Sequence, residues 1–504
     1  MQTALAHGLA ASGSILGNGF DLAGVTGFSR AQICCLALKG VSSGVVSFSD
    51  SPIYANETHN YFSAANIVRP ACVFSPETAE HVAYAVRIFN GANCSFSVRS
   101  GGHLPVPGSN GQNGAILLVT TKLKTLDVRG KTARIGPGNI WSEVYSETDK
   151  VGKVVLGGRI GSVGVGGLIL GGGISFQGPE HGFSCDTVVN FQVVTADGQI
   201  RNANASSNPG LFWALKGGSN RFGIVTAFDM RMYPLSKVTG GTITYQYSSL
   251  PMVLEKIDTV HRHLDFDSKA SFFVNVVDAS DVAIGQFVEV VIYYGKPSTG
   301  VPVAFQPFFN IPGIVANTVS TKSYSELVPN GREGLPLGVF SHTWRSLTYK
   351  QSGLVNKKVA EIFQEEVGKL RASKGGSVQP GVFTLAFEPY ATSMLSASRR
   401  TGGNALGLDG QNGPLMIALL TYSWINQTES ANRTGAVKAS VGRMKRFAQA
   451  QSKHIDFVYL NAAAPDQDPF RSYGQANYQR LRGIRRKYDP EGVFSVLQAG
   501  GFHL

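Results

Sequence analysis

Between about residue 70 and residue 235 the apolar positions predict alternating strands and helices. Short apolar runs predict strands at 72–74, 94–98, 115–119, 133–136, 186–196 and 222–232. Apolar residues also recur at helical spacing from Ala79 to Phe89, and Ser75 and Pro76 predict the start of that helix. Shorter helices are predicted at 140–149 and 211–215. A strand-helix-strand unit thus opens this region.

A second pattern begins near Pro234. Long alternating strands are predicted at 241–247, 272–277, 287–294 and 414–424, with helices that begin at Met252 and Leu354. This is typical of an antiparallel sheet covered by helices, an α+β arrangement. Residues 1–60 are poorly patterned and are expected to wrap the surface. The predicted segments are 1–65, 66–237, 238–450 and 451–504, the last completing the domain that 66–237 begins.

The formal charge of +12 changes little in this picture. No long block of lysine and arginine is present, so a solvated basic surface is favoured over a nucleic-acid or membrane partner. No stretch is long and apolar enough to cross a bilayer. The cysteines and histidines lack metal-ligand spacing, so no metal site is expected.

Cysteines and glycosylation triplets leave the compartment open. Of five cysteines, Cys72 could pair with either Cys34 or Cys35 in an oxidising environment. Asn-x-Ser/Thr triplets, which also arise by chance, occur at Asn56, Asn93, Asn204, Asn426 and Asn432. The first thirty residues lack a charged region followed by a continuous apolar one. An intracellular location is therefore slightly favoured, with the secretory route possible.

Glycine is the unusual component, with 60 residues in 504. The predicted strand at 94–98 is followed by Gly101 and Gly102 and then by His103, a turn that brings backbone close to a bulky ligand. A second glycine-rich stretch spans 161–173. Neither stretch matches a P-loop or the GxGxxG dinucleotide fingerprint. The pattern indicates a cofactor held by two separate glycine turns, with a histidine at the first.

Several motifs in fixed order resemble one family. They are Arg99-Ser100-Gly101-Gly102-His103, Gly164-Val165-Gly166-Gly167 with Gly171-Gly172-Gly173, 193–198, 208–218, 222–226, and the tail motifs Tyr473-Gly474, Asn477-Tyr478, Arg480-Leu481 and Tyr488-Asp489-Pro490. The chain resembles the oxygen-dependent FAD-linked oxidoreductases, the berberine-bridge-enzyme-like branch of the vanillyl-alcohol-oxidase (PCMH-type) superfamily. The resemblance covers roughly residues 60–504. It implies a discontinuous, two-lobed FAD-binding domain and an inserted substrate domain.

The resemblance also implies which residues hold FAD. His103 would carry the flavin 8α-methyl group through a ring nitrogen, since a neutral imidazole is a competent nucleophile. The other implied contacts are Arg99, Ser100, Gly101, Gly102 and Leu104; Gly164, Val165, Gly166, Gly167, Gly172 and Gly173; Gly223, Ile224 and Val225; and Asn461 and Asn477. Many relatives add a cysteine tether at the position of Ile160. A single histidyl link is therefore expected, and Cys185 is expected to be an ordinary buried residue.

The implied chemistry removes a hydride from a substrate C–H to the flavin, which O2 then reoxidises with release of H2O2. A base normally accepts a proton from the neighbouring O–H or N–H. Two positions that carry polar groups in better-known relatives are Leu419 and Ala462 here. Tyr422 and Glu388 are the candidates chosen for the base, and Tyr390 and His342 are further possibilities.

The altered site favours a small apolar secondary metabolite as substrate. The alternatives are a flavin-dependent cyclase, which closes a ring oxidatively or in a pericyclic step, and a carbohydrate or alcohol oxidase. A nucleic-acid-binding module lacks the interleaved basic and aromatic residues that it would need. The oligomeric state stays open.

Overall fold

The computed structural model describes residues 27–40, 43–331, 336–372, 381–411, 413–498 and 500–504. Four sheets organise this part of the chain, with four, five, two and nine strands. The mixed helix and sheet architecture confirms the predicted α+β class. Across the described ranges, the helices are all too short or too polar to cross a membrane.

Two sheets form the first lobe. The four-stranded sheet runs in the order Val46–Ser47, Cys72–Phe74, Ile116–Val119, Phe96–Arg99, and all but its first pair are parallel. The five-stranded antiparallel sheet runs Leu126–Asp127, Thr132–Ile135, Ile224–Arg231, Val188–Val194, Ile200–Asn204. A small pair joins Tyr233–Pro234 to Lys153–Val154. The helices of this lobe are Ala79–Gly91, Trp141–Asp149, Val165–Leu170, Gly178–His181 and Pro209–Leu215.

The helix Ala79–Gly91 begins later than the sequence predicts. Its capping residue is Thr78, whose hydroxyl accepts a hydrogen bond from the His81 N–H, so Ser75 and Pro76 belong to the preceding loop. A threonine directly before the first helical residue can satisfy an exposed first-turn N–H, as a serine can. The apolar face itself is where the periodicity places it.

The N-terminal segment is more ordered than expected. Helices Arg30–Lys39 and Pro52–His59 lie in the part predicted to wrap the surface, and Val46–Ser47 adds an antiparallel strand to the first sheet. Disulfides join Cys34 to Cys94 and Cys35 to Cys72. The first of these pairs was not expected from the sequence. Residues 1–26, on which most of the leader expectation rests, lie outside the described residues.

The second lobe is built on the nine-stranded antiparallel sheet. Its order is Ile314–Asn317, Val238–Gln246, Gly285–Tyr294, Ala270–Ala279, Gly381–Tyr390, Leu415–Trp424, Ser341–Lys350, His454–Ile455, and Ser320–Lys322 also pairs with Val238–Gln246. The helices of this lobe are Leu250–His263, Gln306–Phe309, Tyr324–Leu327, Gly353–Ala372, Thr392–Ser396 and Ser430–Ala450. The long helices cover one face of the sheet. The other face turns toward the first lobe.

The C-terminal stretch returns to the first lobe. Its helices are Pro469–Ser472 and Gln475–Tyr488, followed by the π-helical turn Val493–Leu497. The Tyr473 hydroxyl donates to the Gly217 carbonyl at 3.2 Å, and the Arg480 guanidinium lies 3.9 Å from the centre of the Trp213 ring. These contacts fasten the end of the chain beside the Gly217 turn of the first lobe.

Replacing both Cys35 and Cys72 by alanine is expected to lower the free energy of unfolding by about 2–4 kcal/mol, because the crosslink restricts the unfolded chain. A urea titration followed by tryptophan fluorescence measures this. The matched control replaces Cys34 and Cys94, which are 60 residues apart against 37 for the first pair, and should cost at least as much. Unchanged urea midpoints in both variants would contradict the expectation.

Candidate active site

One cavity of about 290 Å³ lies between the first lobe and the free face of the nine-stranded sheet. It is lined by most of the residues singled out from the sequence: Ser100, Gly101, Gly102, His103, Leu104, Gly164, Gly166, Gly167, Gly223, Ile224, Val225, Glu388 and Asn461. Residues far apart in sequence thus share one space. The remaining candidates, Arg99, Val165, Gly172, Gly173, Asn477 and Tyr422, lie outside the lining.

The first glycine turn (residues 100–103) and the second (residues 164–167) meet backbone to backbone. A Cβ on Gly101 would lie 2.5 Å from the Gly164 nitrogen, and a Cβ on Gly164 would lie 2.5 Å from the Gly101 nitrogen. No side chain fits at such distances. The Ser100 hydroxyl locks the arrangement by donating to the Pro137 carbonyl at 2.6 Å. The contact between the two turns therefore requires glycine at both positions, whether or not a ligand is bound.

Gly167 differs from its neighbours. A Cβ there would meet no atom within 4 Å, and the residue lines the cavity in the first turn of the helix Val165–Leu170. First-turn N–H groups lack partners within their own helix, which suits them to an anionic group. Gly172 and Gly173, by contrast, adopt φ of +109° and +82°, so the turn that follows this helix needs them.

His103 sits in an aromatic stack. Its ring lies 4.1 Å from that of Phe62, and the other face of Phe62 stacks on His342 at 4.0 Å. Burial lowers the pKa of His103 to about 4, so the imidazole is neutral at physiological pH. His342 is buried, and its Nδ1 pairs with the Ser423 hydroxyl at 2.8 Å. His342 therefore packs against Phe62 on the side away from His103 and does not line the cavity.

Arg99, directly before the first glycine turn, binds the N-terminal segment. Its guanidinium forms a buried ion pair with Glu57 and donates to the Asn60 carbonyl at 3.0 Å. The Thr121 hydroxyl donates to the other Glu57 oxygen at 3.1 Å. Arg99 was expected to contact the cofactor; in the structure its terminal guanidinium nitrogens bind Glu57 and the Asn60 carbonyl, and its buried Nε has no partner among the described residues. Its role in the structure is to bind the N-terminal segment, which also supplies Phe62.

On the nine-stranded sheet, the candidates for the base differ in which face of the sheet their side chains occupy. Successive residues of a strand face opposite sides, and Leu419 lines the cavity while Tyr422 points away from it. Tyr422 is fully buried against Phe363 and Phe383, under the helical layer. The assignment of Tyr422 as a catalytic residue is therefore corrected. Tyr390, two residues after Glu388, faces the same side of the sheet but is buried against Phe183 and does not line the cavity.

Glu388 does reach the cavity, but it is paired. Arg159, from the loop before the second glycine turn, donates to the Glu388 carboxylate at 2.8 Å and covers the Phe273 ring at 4.6 Å. Both partners are nearly buried, with 13% and 11% of their side chains exposed. The pair connects the first lobe to the sheet across the cavity wall.

Tyr459 was not singled out from the sequence as a catalytic candidate. Its hydroxyl oxygen accepts hydrogen bonds from the Gly173 N–H and the Asn461 amide, each at 3.1 Å, and the residue lines the cavity. Burial raises its pKa above the ordinary value. Its position two residues before Asn461 was the available signal. Asn477 lies elsewhere, where its amide donates to the Ala405 carbonyl.

Other lining residues gave no sequence signal. Arg221 donates to the Phe494 and Gln498 carbonyls at 2.6 and 3.0 Å, fixing the C-terminal turn at the cavity. Trp344 and Ile160 contribute apolar wall. The buried Thr120 hydroxyl faces the cavity without a partner among the described residues.

These features fit a flavin dinucleotide. Thr120 leaves a buried polar atom for a ligand to satisfy, Gly167 leaves open space beside helix N–H groups, and His103 offers a neutral nucleophile. Trp344, Leu419 and Ile160 provide the apolar wall that a ring system needs.

Comparison with known proteins agrees with this fit. The FAD binding domain model matches residues 70–204, and the berberine and berberine-like model matches residues 458–499. The chain is 31% identical over 497 residues to the FAD-dependent monooxygenase FUP4 of Fusarium proliferatum, covering 95% of each chain. It is 28% identical to the bifunctional solanapyrone synthase of Alternaria solani, covering 97% of this chain and 93% of the relative.

A solved structure shares the fold. The glucooligosaccharide oxidase of Acremonium strictum matches with a TM-score of 0.73 at 19% identity, covering 92% of this chain and 98% of that one. That enzyme carries a 6-S-cysteinyl, 8α-N1-histidyl FAD. The chain belongs to the berberine-bridge-like family of FAD-linked oxidoreductases, which confirms the resemblance, and it is an FAD-dependent oxidoreductase.

Replacing Gly164 by alanine is expected to lower the free energy of unfolding by about 1–3 kcal/mol, because the added methyl group overpacks the contact with Gly101. Gly164 has φ of −73°, so backbone strain is not the cause. Gly167→Ala is the matched control. Its methyl group enters open space, and stability should stay level or rise slightly. Thermal unfolding of flavin-free protein compares the two, and equal effects would contradict the contact argument.

Proposed function

We propose that the protein is an oxidase that removes a hydride from a small, largely apolar secondary metabolite and uses O2 as the acceptor. The observation that carries the proposal is the cavity that brings His103 and Tyr459 together between the glycine turns and the sheet. Bound FAD would supply the hydride acceptor and, once reduced, the reaction with O2 to give H2O2. The relatives named as monooxygenases and as a synthase support action on secondary metabolites.

His103 is proposed as the only covalent anchor of the flavin. Ile160 lines the cavity with half of its surface exposed, so an apolar side chain stands in the wall. Four of the five cysteines are in disulfides, and Cys185 is buried outside the lining with its pKa raised by burial. No thiol is thus available for a second link.

Tyr459 is proposed as the group that accepts the substrate proton. A phenolate there would keep the hydrogen bonds from Gly173 and Asn461. Burial and the Glu388 carboxylate raise the pKa of Tyr459, and the Arg159 cation opposes them. Glu388 fixes the position of Arg159, whose guanidinium donates to its carboxylate at 2.8 Å. Trp344 and Leu419 would orient an apolar substrate and exclude water.

Attachment at His103 is tested by denaturing the yellow protein. The wild type should keep flavin fluorescence in a denaturing gel, and His103→Ala should release its flavin into solution. The neutral ring also predicts that flavin-free protein incubated with FAD attaches it nearly as fast at about pH 5.5 as at about pH 7.5, whereas an imidazole with a pKa of about 6.5 would slow roughly tenfold. Release of the flavin from wild-type protein would refute the single-anchor proposal.

Substitution of Tyr459 by phenylalanine is expected to lower kcat by about 10²–10⁴ while KM changes little, because proton transfer is lost. Tyr422→Phe, on the other face of the sheet, is the matched control and should keep wild-type kcat. Oxygen uptake and peroxide release with candidate metabolites give the rates. Product formation without oxygen uptake would instead favour the cyclase alternative.

A further inference from the structure

The two disulfides fasten adjacent residues of one helix to two different segments. Cys34 and Cys35 follow each other in the helix Arg30–Lys39, yet Cys34 is bonded to Cys94 and Cys35 to Cys72. All four residues are at most 1% exposed. Once folded, the bonds are sealed from solvent, so they must form while the chain folds.

Formation of each bond needs an oxidant. Two thiols lose two protons and two electrons, which a disulfide-bearing oxidase or isomerase accepts as its own disulfide is reduced to two thiols. Such carriers work in the lumen of the secretory pathway, whereas the cytosol keeps thiols reduced. The pairing of four of five cysteines thus points to folding in an oxidising compartment.

The Asn-x-Ser/Thr triplets give an independent observation on the same compartment. Asn56 and Asn432 are exposed on the helices Pro52–His59 and Ser430–Ala450, and both triplets end in threonine. Among the described residues, neither side-chain amide is hydrogen-bonded. A glycan on either nitrogen would extend into solvent and displace nothing.

The fold constrains the side chain or the backbone of the remaining three asparagines. The Asn204 amide donates to Asn190 and accepts from the Ser207 N–H at 2.7 Å. The Asn426 side-chain oxygen, Oδ1, accepts a hydrogen bond from the Thr428 N–H at 3.1 Å. Asn93 has a left-handed backbone, with φ of 52°, and directly precedes the disulfide-bonded Cys94. These three asparagines therefore offer poorer sites.

We infer that the protein matures in the secretory pathway and carries N-linked glycans on Asn56 and Asn432. At each site the amide nitrogen would form a bond to the anomeric carbon of a lipid-pyrophosphate-linked oligosaccharide, with loss of its proton and departure of the lipid pyrophosphate. This is independent of the oxidase proposal, because neither asparagine lines the cavity.

The experiment isolates the holoprotein from cells that make it naturally, lysed directly into iodoacetamide. After denaturation only Cys185 should be alkylated, until a reductant frees the other four cysteines. Peptide N-glycosidase in heavy-oxygen water should lower the intact mass and convert Asn56 and Asn432 to labelled aspartate, leaving Asn204 unchanged. Alkylation of all five cysteines, or an unchanged mass, would overturn the inference.

Matched variants test which asparagines carry the glycans. Asn432→Gln and Thr434→Ala should each remove the same single glycan, since both destroy one triplet, while Asn204→Gln should remove none. Loss of a glycan in Asn204→Gln would overturn the choice of sites. Flavin fluorescence in the denaturing gel reports separately on His103, so failure here is distinguishable from failure of the proposed function.

Discussion

The contact between the two glycine turns sets where the rest of the site can lie. With Gly101 and Gly164 touching through their backbones, His103 on one turn and the helix Val165–Leu170 on the other must open into the same space. Close packing leaves no room for even one methyl group there. The relative position of the two glycine turns is therefore fixed. The sheet of the second lobe then closes this space from the opposite side.

Burial governs the charges around that contact. A ring stacked on Phe62 and shielded from water loses its proton readily, which leaves His103 neutral. Arg99 keeps its charge because Glu57 lies beside it, and breaking a buried pair of this kind leaves a costly unpaired ion. The N-terminal segment therefore supplies both the stacking partner and the counter-ion on which the first glycine turn depends.

Much of this was predictable from periodicity and turn chemistry. Most of the strands, the two glycine turns, His103 and Glu388 in the cavity follow from local patterns, but Ser341–Lys350, the strand that carries Trp344, was not predicted. The prediction of Tyr422 as the base was wrong because successive residues of a strand face opposite sides of the sheet. Which side Tyr422 faces could not be determined without the neighbouring strands. Phe62 and Arg159 were missed since their partners are distant in sequence, and the helix Arg30–Lys39 is held by disulfides that no periodicity reveals.

Side chains alternate along the sheet between residues that line the cavity and residues that pack against the helices. Trp344, Glu388 and Leu419 come from three neighbouring strands, and the residues beside them in sequence pack under the helices. Changes at Trp344 and Leu419 can reshape the chamber for a new molecule without disturbing the helical layer, whereas Glu388 is tied to Arg159 in a loop of the first lobe. A lineage with this scaffold can thus diversify its chemistry by exchanging a few side chains while its redox machinery is inherited intact.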